Sequence, residues 1–117
     1  MKNEKYIYHI VDKNLAKQAM ESASYEAESL KLEGFIHLSY KNQILLVANS
    51  FYKSINNLSL FQIEQSSVGE TLKVEFVKEA GQIFPHIYGD IKSSLIVKLI
   101  NFPVQDDGTF LLPSEVV

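Results

Sequence analysis

Neither cysteine nor arginine occurs anywhere in the chain, and tryptophan is missing too. Without cysteine there can be no disulfides, no Cys-based zinc sites and no thiol nucleophile. All eleven basic residues are lysines, which counts against the bidentate clamping of phosphate that a guanidinium provides. Glycine is sparse and scattered, at Gly34, Gly69, Gly81, Gly89 and Gly108. That leaves neither a phosphate loop nor a dinucleotide fingerprint. No apolar run approaches the roughly 20 residues needed to span a bilayer. Met1 to Tyr6 is polar and charged rather than the start of an apolar leader, so no signal peptide is expected and the expected compartment is the cytoplasm.

What remains is a 117-residue chain of net charge −3, long enough for one domain with a true core and too short for two. Seven Phe and six Tyr supply the large buried side chains. The lysines are dispersed, so the basic face that a nucleic-acid partner requires is not evident. No repeat, linker or low-complexity tract breaks the chain.

Tyr6 to Val11 is aromatic and β-branched and reads as a strand, with Ile7 and His9 on one face and Tyr8 and Ile10 on the other. Asp12 is a natural N-cap for a helix carrying Leu15, Ala16, Ala19 and Met20, which frays near Ser22 to Ser24. Tyr25 to Lys31 fits either a loop or a short strand. Glu33-Gly34 marks a turn, Phe35 to Leu38 a short strand, and Ser39 the N-cap of a second helix. That helix buries a stripe of Ile44, Val47, Ala48 and Phe51. Asn56-Asn57 is a turn, while Leu58–Ile63 and Leu72–Val77 are strands. Pro85 and Gly89 limit Ile83 to Gly89 to an edge-like piece. Leu95 to Ile100 is either a buried central strand or helical, its β-branched content favouring strand. Asp106-Asp107-Gly108 turns into a last short strand over Thr109–Leu112. Helices early and strands late, without βαβ alternation, predict an α+β fold.

Each histidine lies between bulky or apolar neighbours: Tyr8 and Ile10 around His9, Ile36 and Leu38 around His37, Pro85 and Ile87 around His86. Such desolvation favours the neutral imidazole and suits acid–base work, or equally a structural histidine bonded to a carbonyl. No His-x-His or His-x3-His spacing is present, so no metal is expected. Ser39 lacks a nucleophile-elbow frame and suits capping better. Glu75 and Glu79 read as a solvated face. Asn49 and Tyr52 are expected to line or close the second helix. Tyr8, Tyr25 and Tyr88 are either core residues or faces for a ring to stack on.

Ile7-Tyr8-His9-Ile10, Ser29-Leu30, Glu33-Gly34-Phe35-Ile36-His37-Leu38-Ser39, Val47-Ala48-Asn49 with Phe51-Tyr52, and Phe84-Pro85-His86-Ile87-Tyr88-Gly89 together resemble the small bacterial domain-of-unknown-function 952 family. The likeness runs over nearly the whole chain. Leu15 stands where the family often has Trp, Leu38 where it often has Cys, and Asp90 where it often has Pro, which bears on the loop beside His86.

The resemblance implies an ADP-ribosyltransferase-like architecture: two small, mostly antiparallel sheets flanking a cleft, with two helices in the N-terminal half. It implies that His9 is the first-strand residue that meets a nicotinamide ribose and that Gly34 to Ser39 carries the second motif. The third motif usually holds a catalytic Glu; His86 stands there with no Glu beside it in sequence, which disfavours ordinary mono-ADP-ribosyl transfer. The histidine-using 2′-phosphotransferase branch pairs its histidines with arginines, which are absent here.

The family has no established reaction. The expected reading is a histidine-lined cleft that takes a small molecule, NAD or a related nucleotide, with transferase- or hydrolase-type chemistry. His9, His37 and His86 are the catalytic candidates, His86 as the acid–base group. His9, His37, Ser39 and Tyr88 are the ligand contacts, Tyr88 as a stacking wall. The alternative is a non-enzymatic binding or interaction module whose histidines are structural.

Overall fold

The computed structural model describes residues 5–117; the first four residues of the polar start lie outside them. The elements run β1 (Tyr6–Asp12), α1 (Lys13–Met20), β2 (Ser24–Tyr25), α2 (Glu28–Glu33), β3 (Ile36–His37), α3 (Ile44–Phe51), β4 (Leu58–Glu64), β5 (Leu72–Val77), β6 (Gln82–Ile87), β7 (Ile91–Lys92) and β8 (Ile96–Phe102). They form three antiparallel sheets, ordered β1-β4-β8, β2-β7 and β3-β6-β5. The chain is α+β, as its pattern predicts.

The sheet β1-β4-β8 has a hydrophobic core on each face. Strand alternation sends Ile7 and Val11 of β1, with Phe61 and Ile63 of β4, into one core, where they meet Ile36 and Ile87 of the β3-β6-β5 sheet. Tyr8 and Ile10, with Leu60, Ile100 and Phe102, enter the other, closed by α3 and by Phe110, whose ring stacks on Phe102 at 4.8 Å. Each such large side chain contributes about 1.5–3 kcal/mol on burial. Asp12 caps α1 as expected, its Oδ2 accepting from Asn14 N at 2.9 Å and Leu15 N at 3.1 Å.

Two sheets around a cleft and two N-terminal helices are not what the chain builds. Among the described residues it has three α-helices and three sheets. The extra helix is α2, which overlaps Tyr25 to Lys31, the stretch expected as a loop or short strand, and runs on to the expected turn at Glu33. Glu28 sits favourably in its first turn, and Gly34, at φ +90°, ends it in the left-handed conformation that glycine adopts without strain. The extra sheet is the two-residue pair β2-β7.

The expected cleft is filled. Tyr8 and Ser39 exchange backbone hydrogen bonds of 2.8 Å in both directions, which holds β1 against the end of β3, and side chains from both sheets share one core. A concavity of about 360 Å³ lies instead by the end of β8, between Asn101, Pro103, Gln105 and Leu111, and no histidine lines it.

Other local expectations need correcting. Ser39 is buried in that bridge and caps no helix; Tyr40 precedes a single 3-10 turn over Lys41–Gln43, and Gln43 Oε1 accepts from Tyr40 N at 3.0 Å. Ile44 and Ala48 are buried in α3, but Phe51 is 77% exposed, because the helix starts at Ile44 and ends there. β8 is a strand at a sheet edge, not a central one. Conversely β6 is central despite Pro85. Its carbonyl accepts from Leu38 N at 3.1 Å, at the end of the two-residue β3. The donor that proline lacks would point the same way, where the ladder is already finishing.

Candidate functional site

Pairing of β3 with β6 sets His37 directly across from His86. Their rings stand edge to face with centroids 5.4 Å apart. On the other side of β6, β5 places Lys73 across from His86 and Glu75 across from Phe84. Alternation therefore puts Lys73 and Glu75 on the face that carries His86, with Glu75 diagonal to it.

Glu75 Oε1 lies 2.8 Å from His86 Nδ1 and accepts from the Tyr88 hydroxyl at 2.7 Å. The hydrogen bond from Tyr88, then that from His86, hold the Glu75 carboxyl below the usual carboxylate range, and the same bond pushes the Tyr88 phenol up. An ionised carboxylate can only accept, so it fixes the proton of neutral His86 on Nδ1 and leaves a lone pair on Nε2. That Nε2 is buried and has no hydrogen-bond partner. Phe35 lies flat against the His86 ring, 4.3 Å between centroids, and touches His37 at 4.8 Å and Tyr88 at 5.2 Å. His37 is more open, and its Nε2 sits 3.2 Å from both oxygens of Glu33, the last residue of α2 and four residues back in sequence. Gly34 makes this possible: its left-handed turn brings the chain from α2 straight into Phe35, Ile36 and His37.

His9 belongs to a different group. It is buried against Tyr25 and Phe61. Its Nδ1 bonds the backbone carbonyl of His37 at 2.8 Å and its Nε2 meets the Tyr25 hydroxyl at 3.0 Å. A carbonyl can only accept, so Nδ1 carries the proton and Nε2 accepts from Tyr25. Burial lowers His9 to about 4 and raises Tyr25 to about 12. Among the described residues, His9 touches neither of the other imidazole rings; its link to them is the main chain of His37.

Of the sequence candidates, His37, His86 and Tyr88 come together around Phe35. His9 is tied to the group through a peptide carbonyl, and Ser39 joins β3 to β1 through its backbone. Asp90, where the family often has proline, pins β7 to β2: hydrogen bonds from Ser24, then Lys92, hold its carboxyl low. The sequence reads Glu75 as part of a solvated face, and Glu33 and Phe35 only as turn and strand; here Glu75 instead holds His86 and Tyr88. The alternation in Lys73-Val74-Glu75-Phe76 placed Glu75 on the polar face, but which strand that face adjoins is not encoded locally. A glutamate thus does stand beside His86, brought by β5 rather than by sequence proximity. Among the described residues no group of three or more His, Asp and Glu side chains is placed to hold a metal ion, and no helix is long and apolar enough to cross a membrane.

The family model described as "Protein of unknown function (DUF952)" matches residues 10–99. The chain belongs to the DUF952 family. Its β1-to-β8 frame is shared by solved structures of protein CC0527 from Caulobacter crescentus. The crystal structure is 29% identical with a TM-score of 0.84, covering 92% of this chain and 94% of that one. A double methionine variant of CC0527 gives the same values. The solution NMR structure is 28% identical with a TM-score of 0.78 over 89% and 90% of the two chains. Comparison with curated proteins finds no match.

Proposed function

We propose that this DUF952 protein binds a small nucleotide-like ligand, NAD-related, over the face formed by Phe35, His37, Tyr88 and Lys73, with His86 as its acid–base group. One observation carries the reading: the Tyr88–Glu75–His86 chain of hydrogen bonds fixes the histidine tautomer and leaves Nε2 without a partner. A carboxylate behind an imidazole orients it and stabilises the imidazolium formed when the opposite nitrogen takes a proton. Chemistry of transferase or hydrolase type follows: Nε2 removes a proton from an attacking hydroxyl or water, and returns it to the leaving group. Phe35 and the exposed Tyr88 offer ring faces for a base or nicotinamide. Lys73, across from His86, offers a cation for phosphate.

Isothermal titration calorimetry with NAD, ADP-ribose and a 2′-phosphorylated ribonucleotide tests the proposal. At least one should bind the wild type, and H86A and Y88A should weaken it at least about tenfold. Absence of binding to all three removes the NAD-related reading. The burial of Nε2 favours a second reading, an interaction module with structural histidines. In that case none of the three compounds moves the His37 or His86 ring signals in NMR, and F35A, which uncovers His86, changes nothing but stability.

A further inference from the structure

The β3-β6-β5 sheet stops at β5, which pairs with β6 and, among the described residues, with no strand beyond it. The phase of its hydrogen bonding can be read directly. Tyr88 N donates to Thr71 O at 2.8 Å, and antiparallel pairs alternate between bonded and non-bonded residues. Thr71, Lys73, Glu75 and Val77 therefore turn their main chain toward β6, while Leu72, Val74 and Phe76 turn theirs outward. Pro85 agrees with this phase, since it faces Val74 and has no N–H to offer β5. The Leu72 N–H is occupied by Gly69 O at 3.2 Å, which leaves the Val74 and Phe76 N–H groups and three carbonyls along the open edge.

An open edge is ordinarily guarded by proline, a bulge or charged side chains. β5 carries neither proline nor bulge, and its two charges are one lysine and one glutamate on the same face, so a second copy of the strand can answer each with its opposite. Its opposite face exposes apolar surface, with Val74 46% exposed, Phe76 65% exposed and Ile83, paired with Phe76, 51% exposed.

We infer that β5 is the two-fold interface of a homodimer, two copies pairing antiparallel about Val74. Among the registers centred on an outward-facing residue, this one alone gives both free N–H groups a carbonyl acceptor while setting Lys73 against Glu75, and it leaves only the Phe76 carbonyl without a strand partner. Val74 opposes Val74, and the two exchange both backbone bonds. Phe76 N–H meets Leu72 carbonyl on each side, so the occupied Leu72 N–H is not needed. Lys73 of each copy falls opposite Glu75 of the other at the non-bonded positions, where side chains approach most closely. Centring on Leu72 would need its occupied N–H, and centring on Phe76 would set Glu75 against Val77 with no cation opposite. On the apolar face, exposed Phe76 lands beside Leu72, which packs against the core, so the most exposed side chain of the strip gains cover.

The two-fold axis stands perpendicular to the sheet, so both His37–His86–Glu75 clusters lie on one face of a continuous sheet. The inference does not rest on the proposed chemistry, although Glu75 and Lys73 serve both: Glu75 Oε1 holds His86 and Tyr88 while the carboxylate's far side faces the lysine of the other copy, and that same lysine borders the proposed ligand face.

Sedimentation velocity across a concentration series, with amide exchange by NMR, tests this on the full chain. The wild type is expected to dimerise with a dissociation constant on the order of 10 μM, in keeping with a small interface. Val74 and Phe76 amides should exchange slowly in the dimer and fast on dilution, while Lys73 and Glu75 amides stay protected throughout. V74P removes only an outward N–H, so it should keep β5 paired to β6 and raise the dissociation constant at least about tenfold. Should V74P misfold, the charge pair decides: K73E and E75K alone should be weakened, and a mixture of the two should form heterodimers. A wild type still monomeric at about 1 mM, a tight V74P dimer, or K73E and E75K that fail to pair would each overturn the inference.

Discussion

Acidification should unfold this protein by a route that runs through His9. Its imidazole is buried, donates to the His37 carbonyl and accepts from Tyr25, and burial lowers its pKa from 6.5 to about 4. The folded state therefore binds this proton only below about 4, whereas the unfolded chain binds it below 6.5. Between those values the unfolded state holds more protons, so stability falls as pH falls and is fully present only above the unfolded pKa. The slope approaches about 1.4 kcal/mol per pH unit, and the full window amounts to about 3 kcal/mol. That is a large share of the roughly 5–15 kcal/mol that holds a domain folded.

Urea unfolding at about pH 7.5, 6 and 4.5 measures the loss, and linear extrapolation gives the free energy at each. H9Q is the control, because an amide can keep both a donor and an acceptor in place without titrating. It should be less stable than wild type at neutral pH, yet nearly flat where wild type falls. Carboxylates such as Glu75, Asp90 and Asp107, all held low by hydrogen bonds, give up their contribution at lower pH and do not imitate this window. Equal wild-type stability at about pH 7.5 and 4.5, or the same slope in H9Q, would refute the reasoning.

Two further substitutions probe the elements around the cluster. Gly34→Ala meets no atom within 4 Å, so its cost is backbone strain at φ +90° alone, about 1 kcal/mol by thermal or urea unfolding; a neutral result would mean that the α2-to-β3 turn relaxes freely. Tyr25→Phe leaves His9 Nε2 without its 3.0 Å donor and should cost about 1–3 kcal/mol near neutral pH; it should also narrow the acid window, because His9 loses a bond made by its neutral form.

The local signals in the sequence translated well where one element determines its own shape. β1, the Asp12 cap, β4 and β5 appear where alternation and capping put them. The readings failed where tertiary pairing decides. Six residues show too little periodicity to announce α2, and its clearest mark, Gly34, is a residue that suits a turn as well as a helix end. Pro85 argued for an edge, yet β6 is central because β3 ends opposite it. Phe51 fits the helical spacing, but α3 has too few turns to bury it. The apolar settings of His9, His37 and His86 were visible, and two of the three histidines do meet. Glu75 was invisible as their neighbour, because no local rule says which strand pairs with β6.

Position 37 serves two masters that never compete. Its peptide oxygen belongs to the interior, gripped by His9, while its imidazole stands outside among Phe35, Glu33 and His86. Any amino acid would present the same oxygen to His9. The interior is thus indifferent to what side chain occupies position 37, and that side chain is free to be chosen for work on the surface alone.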